Sequence, residues 1–270
     1  MLTRRSLMTV LVGCCSVCSG RNASSQRPRS YAGSGNPGLI ACGSEPGSGD
    51  EFQPDPSLVR NSCGVSELDM NIGLERRTLD FFFGLTNLIG DRDYGRPSFF
   101  FYEDGQKRIG ARALRGGNNS CSIYLGLRLI RDEMEQNSRN WQSVVIGTLA
   151  HEWAHAFQYR SQLDEKRFVW ETHADYLAGW YLGAKQATGS LRLEPGVFSR
   201  ALFARGSSLG RFSKDAYGQP QQRADAMEAG LHFGLTNTRP SMRPNVSDAA
   251  EAGYDTVSAI LQHERRTSRQ

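Results

Sequence analysis

Long hydrophobic runs are what this chain has least of. Beyond its first twenty residues no stretch is apolar enough to cross a bilayer, which excludes a multi-span helical membrane protein. A strong charge of one sign is also missing. Its 32 Lys and Arg stand against 28 Asp and Glu, for a formal charge of +4 and a pI of about 8.8. No basic run is interleaved with aromatics, so a nucleic-acid surface is excluded and the charges read as a solvated exterior. No Cys-x-x-Cys sits beside a histidine pair, which argues against a cysteine-held zinc. Histidine itself is scarce, with five in 270 residues, so a close pair carries information.

What is present is enough for one enzyme-sized domain: 39% of the residues are hydrophobic, sufficient to bury a full core at this length. The first twenty residues pair a basic start (Arg4, Arg5) with a short apolar segment over 7–13, the pattern of an export signal. Leu11-Val12-Gly13-Cys14 resembles a bacterial lipobox, and the residues around Arg4-Arg5 loosely resemble a twin-arginine signal. On that reading the mature chain starts at a lipid-bearing Cys14 and sits in the cell envelope, anchored to a membrane and facing the periplasm or exterior. The alternative is an ordinary signal cut near Gly20. Export permits disulfides, and Cys42 with Cys63 is the expected pair, Cys121 being the third cysteine outside the signal. Residues 21–66 are mostly rich in Ser, Gly, Pro and Asn and read as a flexible tether.

The folded part is expected over 67–240, with an α+β make-up. Leu68, Ile72, Leu79, Phe82 and Phe83 mark a helix ending near Gly90. Three short runs, 97–102, 107–114 and 121–126, are divided by Asp104-Gly105 and Gly116-Gly117-Asn118-Asn119 and read as strands joined by tight turns. Helices follow within 125–136 (about ten residues), over about 141–159 and over 165–183, the last with Asp164 as N-cap. A further helix is expected over 220–230, and 241–270 reads as a polar C-terminal tail.

His151-Glu152-Trp153-Ala154-His155 carries the chemistry. Two imidazoles at i and i+4 lie one turn apart on one helix face, which lets both reach a single ion at about 2.0–2.1 Å. Glu152 falls where a carboxylate can reach a metal-bound water without ligating. A chance match in so histidine-poor a chain is about a one-in-a-hundred event. The preceding Gly147-Thr148-Leu149-Ala150 makes the helix a buried one, where two histidines beside a carboxylate need something to satisfy them.

The third ligand is sought in "VWETHADYLAGW", 169–180. In a helix, Glu171 and Asp175 share a face, while His173 is turned about 200° from Glu171. Two helices packed antiparallel bring His151, His155 and Glu171 to one point, and Ala150, Ala154, Ala174 and Ala178 are small enough for the approach. Asp175 is then expected to bind the other ring nitrogen of His151. His173 is expected to be a second-layer or surface histidine.

His-Glu-x-x-His followed by Glu-x-x-x-Asp is the gluzincin pattern. "HEWAHAFQ" with "ETHADYLAG" is similar to the bacterial neutral zinc metallopeptidases, and "YGQPQQRADAMEAG" (217–230) looks like their Gly-x-x-x-Gln-Arg segment. The resemblance covers about 70–235 and includes Gln158, Ala174, Ala178 and Gly179. It implies a zincin-like fold: a small sheet packed on the active-site helix pair, with a mostly helical C-terminal part. The chain departs from the pattern at Tyr217, where a histidine is usual, and at Thr172-His173, in place of Leu-Gln.

The expected activity is therefore hydrolysis of protein or peptide substrates with one Zn2+ held by His151, His155 and Glu171, and Glu152 as general base. Residues 122–126 are expected to form the edge that pairs with an extended substrate. Tyr217 and Arg223 are possible oxyanion helpers, Arg223 being equally a salt-bridge residue for the late helix. The rival is an envelope-anchored, zinc-containing binding or assembly factor that cuts nothing, although a structural zinc has no need of Glu152. Hydrolysis of a cell-wall amide would use the same chemistry.

Overall fold

A computed structural model describes residues 54–61, 78, 82, 84, 85, 96–103, 110–116, 120–136, 139–161, 167–189, 196, 220–239 and 245–267. The export signal with Cys14, most of the tether, Cys42, Cys63, Asp164 and Tyr217 lie outside them. Among the described residues no helix is long and apolar enough to cross a membrane.

Four strands form one mixed sheet: β1 (Val59–Asn61), β2 (Ser98–Tyr102), β3 (Ala111–Arg115) and β4 (Cys121–Gly126), in the order β1-β2-β4-β3. β4 runs parallel to β2 and antiparallel to β3, with Ala113 opposite Ile123. This corrects the expectation for 122–126. That strand is paired on both sides and β3 lies at the sheet edge, because the chain passes from β2 to β3 before β4 fills the place between them. Side chains along β4 alternate as a strand requires, with Cys121, Ile123 and Leu125 buried. Cys121 is a free thiol that burial pushes up to about 12, which makes it unreactive. Of the helix expected before β2, Thr78, Phe82, Gly84 and Leu85 are helical, and Phe82 stacks on Phe99 of β2 at 4.4 Å.

The helices are α1 (Leu127–Gln136), α2 (Trp141–Arg160), α3 (Arg167–Ala187), α4 (Pro220–Asn237) and α5 (Val246–Thr267). From Trp141 to Tyr159 every residue of α2 except Gln142 is buried, the condition of a helix enclosed on all sides. β3 and β4 cover one flank of it, α1 and α3 others. The architecture is α+β with a mostly helical C-terminal part.

α3 and α4 meet backbone to backbone. A Cβ on Gly179 would strike the Met227 carbonyl and one on Gly183 the Leu231 carbonyl; from the other side, Gly230 faces the Tyr176 carbonyl and Gly234 that of Trp180. Glycines four apart on both helices thus permit an approach that any side chain would block. Gly230→Ala gains about 1 kcal/mol in helix propensity but forces the helices apart, and is expected to cost about 2 kcal/mol net. Chemical denaturation checks this, and a stabilised variant would contradict the close approach.

α4 continues seven residues past the expected end, and 246–267, expected to be part of a polar tail, is helix. Asn245 starts it, its side-chain oxygen accepting from the Ser247 amide at 3.0 Å. Its buried stripe consists of small residues, Val246, Ala249, Gly253 and Val257. So little apolar bulk on a polar helix gives a weak periodic signal.

Candidate metal centre

α2 contributes His151 and His155, one turn apart, and α3 contributes Glu171. All three are at least 94% buried. The two Nε2 atoms lie 3.0 Å apart, His151 Nε2 is 3.4 Å from Glu171 Oε2, and His155 Nε2 is 3.8 Å from Glu171 Oε1. Tetrahedral coordination with bonds of about 2.0–2.1 Å sets ligand atoms roughly 3.3 Å apart, so these three donors can close on one metal ion.

The outer nitrogens are also held. His151 Nδ1 lies 2.8 Å from Asp175 Oδ1, one turn along α3 from Glu171, where the i, i+4 spacing puts it. His155 Nδ1 donates to Gln158 Oε1 at 2.8 Å. Which end of that amide faces the histidine is settled by the Trp170 carbonyl, an acceptor that takes a hydrogen from Gln158 Nε2 at 2.9 Å. With Nδ1 carrying the proton in both rings, the two Nε2 lone pairs face each other at 3.0 Å. They repel unless a cation lies between them. Outer partners of this kind are what hold ligating imidazoles in tautomer and orientation.

Charge points the same way. Among the described residues at the centre, three buried carboxylates, Glu152, Glu171 and Asp175, are accompanied by one buried guanidinium, Arg223, a formal excess of two negative charges that a divalent cation would balance. Burial alone would raise the pKa of Glu171. With no ion bound, protonated imidazoles facing it outweigh burial: the hydrogen bond from His151 and the charges of His155, Arg223 and His151 hold the carboxyl well below the usual range. In Asp175 burial is likewise outweighed, by the charges of Arg223 and His151 and the hydrogen bonds to both, and the pKa is lowered.

Arg223 donates from Nε to Asp175 Oδ2 at 2.6 Å and from Nη2 to Oδ1 at 3.1 Å, and Nη2 lies 3.4 Å from Glu171 Oε2. Of its two expected roles, the structure places it in the ion pair that ties α4 to α3. Glu152, next to His151, is 4% exposed, and among the described residues its Oε2 has no hydrogen-bond partner. A buried carboxylate oxygen left in that condition is costly unless something is to bind there.

His173 is not on the surface. It is 1% exposed, with Nδ1 3.0 Å from Gln158 Nε2 and Nε2 3.0 Å from the Ala250 carbonyl of α5. Helical spacing turns it from the ligand face, as expected, and onto a buried polar path that sequence spacing could not reveal, since its end lies 77 residues away. Comparison with family models, with curated proteins and with solved structures found no match.

Proposed function

We propose that the chain is a zinc metalloendopeptidase in which Glu152 activates the attacking water. The observation that carries this is the buried Oε2 of Glu152, without a hydrogen-bond partner among the described residues, beside a donor set of two imidazoles and a carboxylate. That donor set suits zinc, which when bound supplies Lewis acidity and lowers the pKa of water at an open position. A structural zinc with four protein ligands has no use for a general base.

His151, His155 and Glu171 bind the ion, and Asp175 and Gln158 orient the two imidazoles. Glu152 takes the proton of the attacking water at Oε2 and passes it to the departing amine nitrogen. β4 is paired on both sides; of the two edge strands among the described residues, β1 and β3, the one offered to an extended peptide is β3, on which α2 rests through the Tyr159 hydroxyl donating to the Ala113 carbonyl at 3.3 Å. A small sheet beside the central helix and its partner helix supports reading the domain as zincin-like. The lipobox-like Leu11-Val12-Gly13-Cys14 supports a lipid-held position at a membrane of the cell envelope.

The test is to purify the chain, measure bound zinc and follow cleavage of an unstructured protein. Expected are one zinc per chain, loss of cleavage on chelation with recovery on adding Zn2+, and neither zinc nor cleavage in Glu171→Ala. Bound zinc without cleavage would replace this reading with a zinc-containing binding or assembly factor.

A further inference from the structure

Through the backbone carbonyl of Ala250, α5 reaches the centre by a path that neither the ligands nor the general base require. Gln158 Nε2 has two hydrogens, and the structure gives each an acceptor: the Trp170 carbonyl at 2.9 Å and His173 Nδ1 at 3.0 Å. The His173 ring is therefore protonated at Nε2, and that proton goes to the Ala250 carbonyl at 3.0 Å. Gln158 and His173 are each 1% exposed. α5 sits close enough for this because it presents a glycine: a Cβ on Gly253 would lie 2.7 Å from Tyr176 Cδ1 and 3.0 Å from His173 Cδ2.

The direction of every hydrogen bond in this path follows from its two carbonyl ends, which only accept. From the Ala250 and Trp170 carbonyls inward, His173 and Gln158 have one consistent arrangement, and it ends with the Gln158 oxygen on His155 Nδ1–H. Were the amide reversed, its NH2 would face His155 Nδ1, the ring proton would move to Nε2, and the lone pair needed by an ion would be lost.

We infer that His173 is a positioning residue of the metal centre: through Gln158 it fixes His155 with its Nε2 lone pair directed at the ion, and its anchor on Ala250 makes docking of α5 part of the site's assembly. This rests on the metal-binding reading above, not on peptidase activity. Loss of the Nδ1 acceptor leaves one Gln158 hydrogen buried without a partner and loosens the amide that orients His155, the kind of outer-partner loss that weakens metal binding about 10–100-fold.

Zinc affinity of the full chain, measured by competition with a chromophoric chelator, tests this. His173→Leu is expected to bind about tenfold more weakly. His173→Asn, whose side-chain oxygen can take the place of Nδ1, should recover most of that loss. Gln158→Met should weaken binding as His173→Leu does, and the double variant should be no weaker than Gln158→Met alone, because both act through one path. Melting of the zinc-free proteins separates these effects from general unfolding. Parental affinity in a folded His173→Leu, or additive losses in the double variant, would overturn the inference. Should His173→Leu fail to fold, Gln158→Met and His173→Asn decide: weak binding in the first with near-parental binding in the second supports it, and equal affinities overturn it. A parent chain that binds no zinc removes the metal reading and this inference together, whereas a parent that binds zinc without cleaving peptide leaves this inference standing.

Discussion

Glu152→Gln is expected to lower cleavage of an unfolded protein by about 10²–10⁴-fold while leaving bound zinc unchanged. The substitution keeps the shape of the side chain and removes its basicity. Glu152 lies on α2 beside His151 and His155 but is not one of the three donors that converge, so the proposed metal binding is not expected to depend on its charge. Its Oε2 is buried without a partner among the described residues, and an amide there could not take a proton from water. Metal stoichiometry and cleavage measured on the same preparation check the prediction. Cleavage that survives in Glu152→Gln would sink the role given to this carboxylate, and zinc lost with cleavage would mean that it acts as a ligand.

Arg223→Leu is expected to destabilise the zinc-free chain by about 3–5 kcal/mol near neutral pH, the usual penalty when one partner of a buried ion pair is removed. The guanidinium, 8% exposed, meets Asp175 through two hydrogen bonds and lies 3.4 Å from Glu171. Without it two buried carboxylates remain with no guanidinium to face. The pH dependence follows from the depressed pKa values of both acids. A depressed acid contributes stability that is present above its unfolded value, near 4, and is lost as pH falls through its folded value. Removing Arg223 raises both folded values, so the variant lacks that contribution at neutral pH and loses less on acidification. The gap between parent and variant is therefore widest near pH 7 and narrows below about pH 4. His151 and His155 face the same carboxylates in both proteins and largely cancel in the difference. Denaturant titrations in chelator at several pH values check this, and a gap below about 1 kcal/mol at pH 7 would show that the pair does not hold α4 on α3.

Legibility followed the range over which each feature is specified. The i, i+4 pairs His151/His155 and Glu171/Asp175 are properties of one helix each, and the contact of Asp175 with His151 Nδ1 follows once the two helices pack. The strands at 98–102, 111–115 and 121–126 show in their apolar runs and glycine-rich breaks. Their order does not, because alternation marks which face of a strand is buried and not which neighbour it pairs with. Hence β4, expected at the edge, is central. Gly179, Gly183, Gly230 and Gly234 were visible as two glycine pairs with the same spacing, but only the close packing of α3 on α4 gives them a purpose.

By itself the sequence determined the helix that carries His151, Glu152 and His155 and the choice of Glu171 over His173 as third candidate donor, since each depends on the 3.6-residue turn of a single helix, and it offered Asp175 as partner of His151 once two such helices pack. Only the tertiary structure decided that Arg223 is committed to Asp175 and Glu171, that β3 and not β4 is an edge strand of the described sheet, and that His173 is a buried link from Ala250 to the centre. These are contacts between segments 48 to 77 residues apart or between neighbouring strands. No local periodicity encodes such contacts, because they arise only when the helices close around a shared set of buried charges.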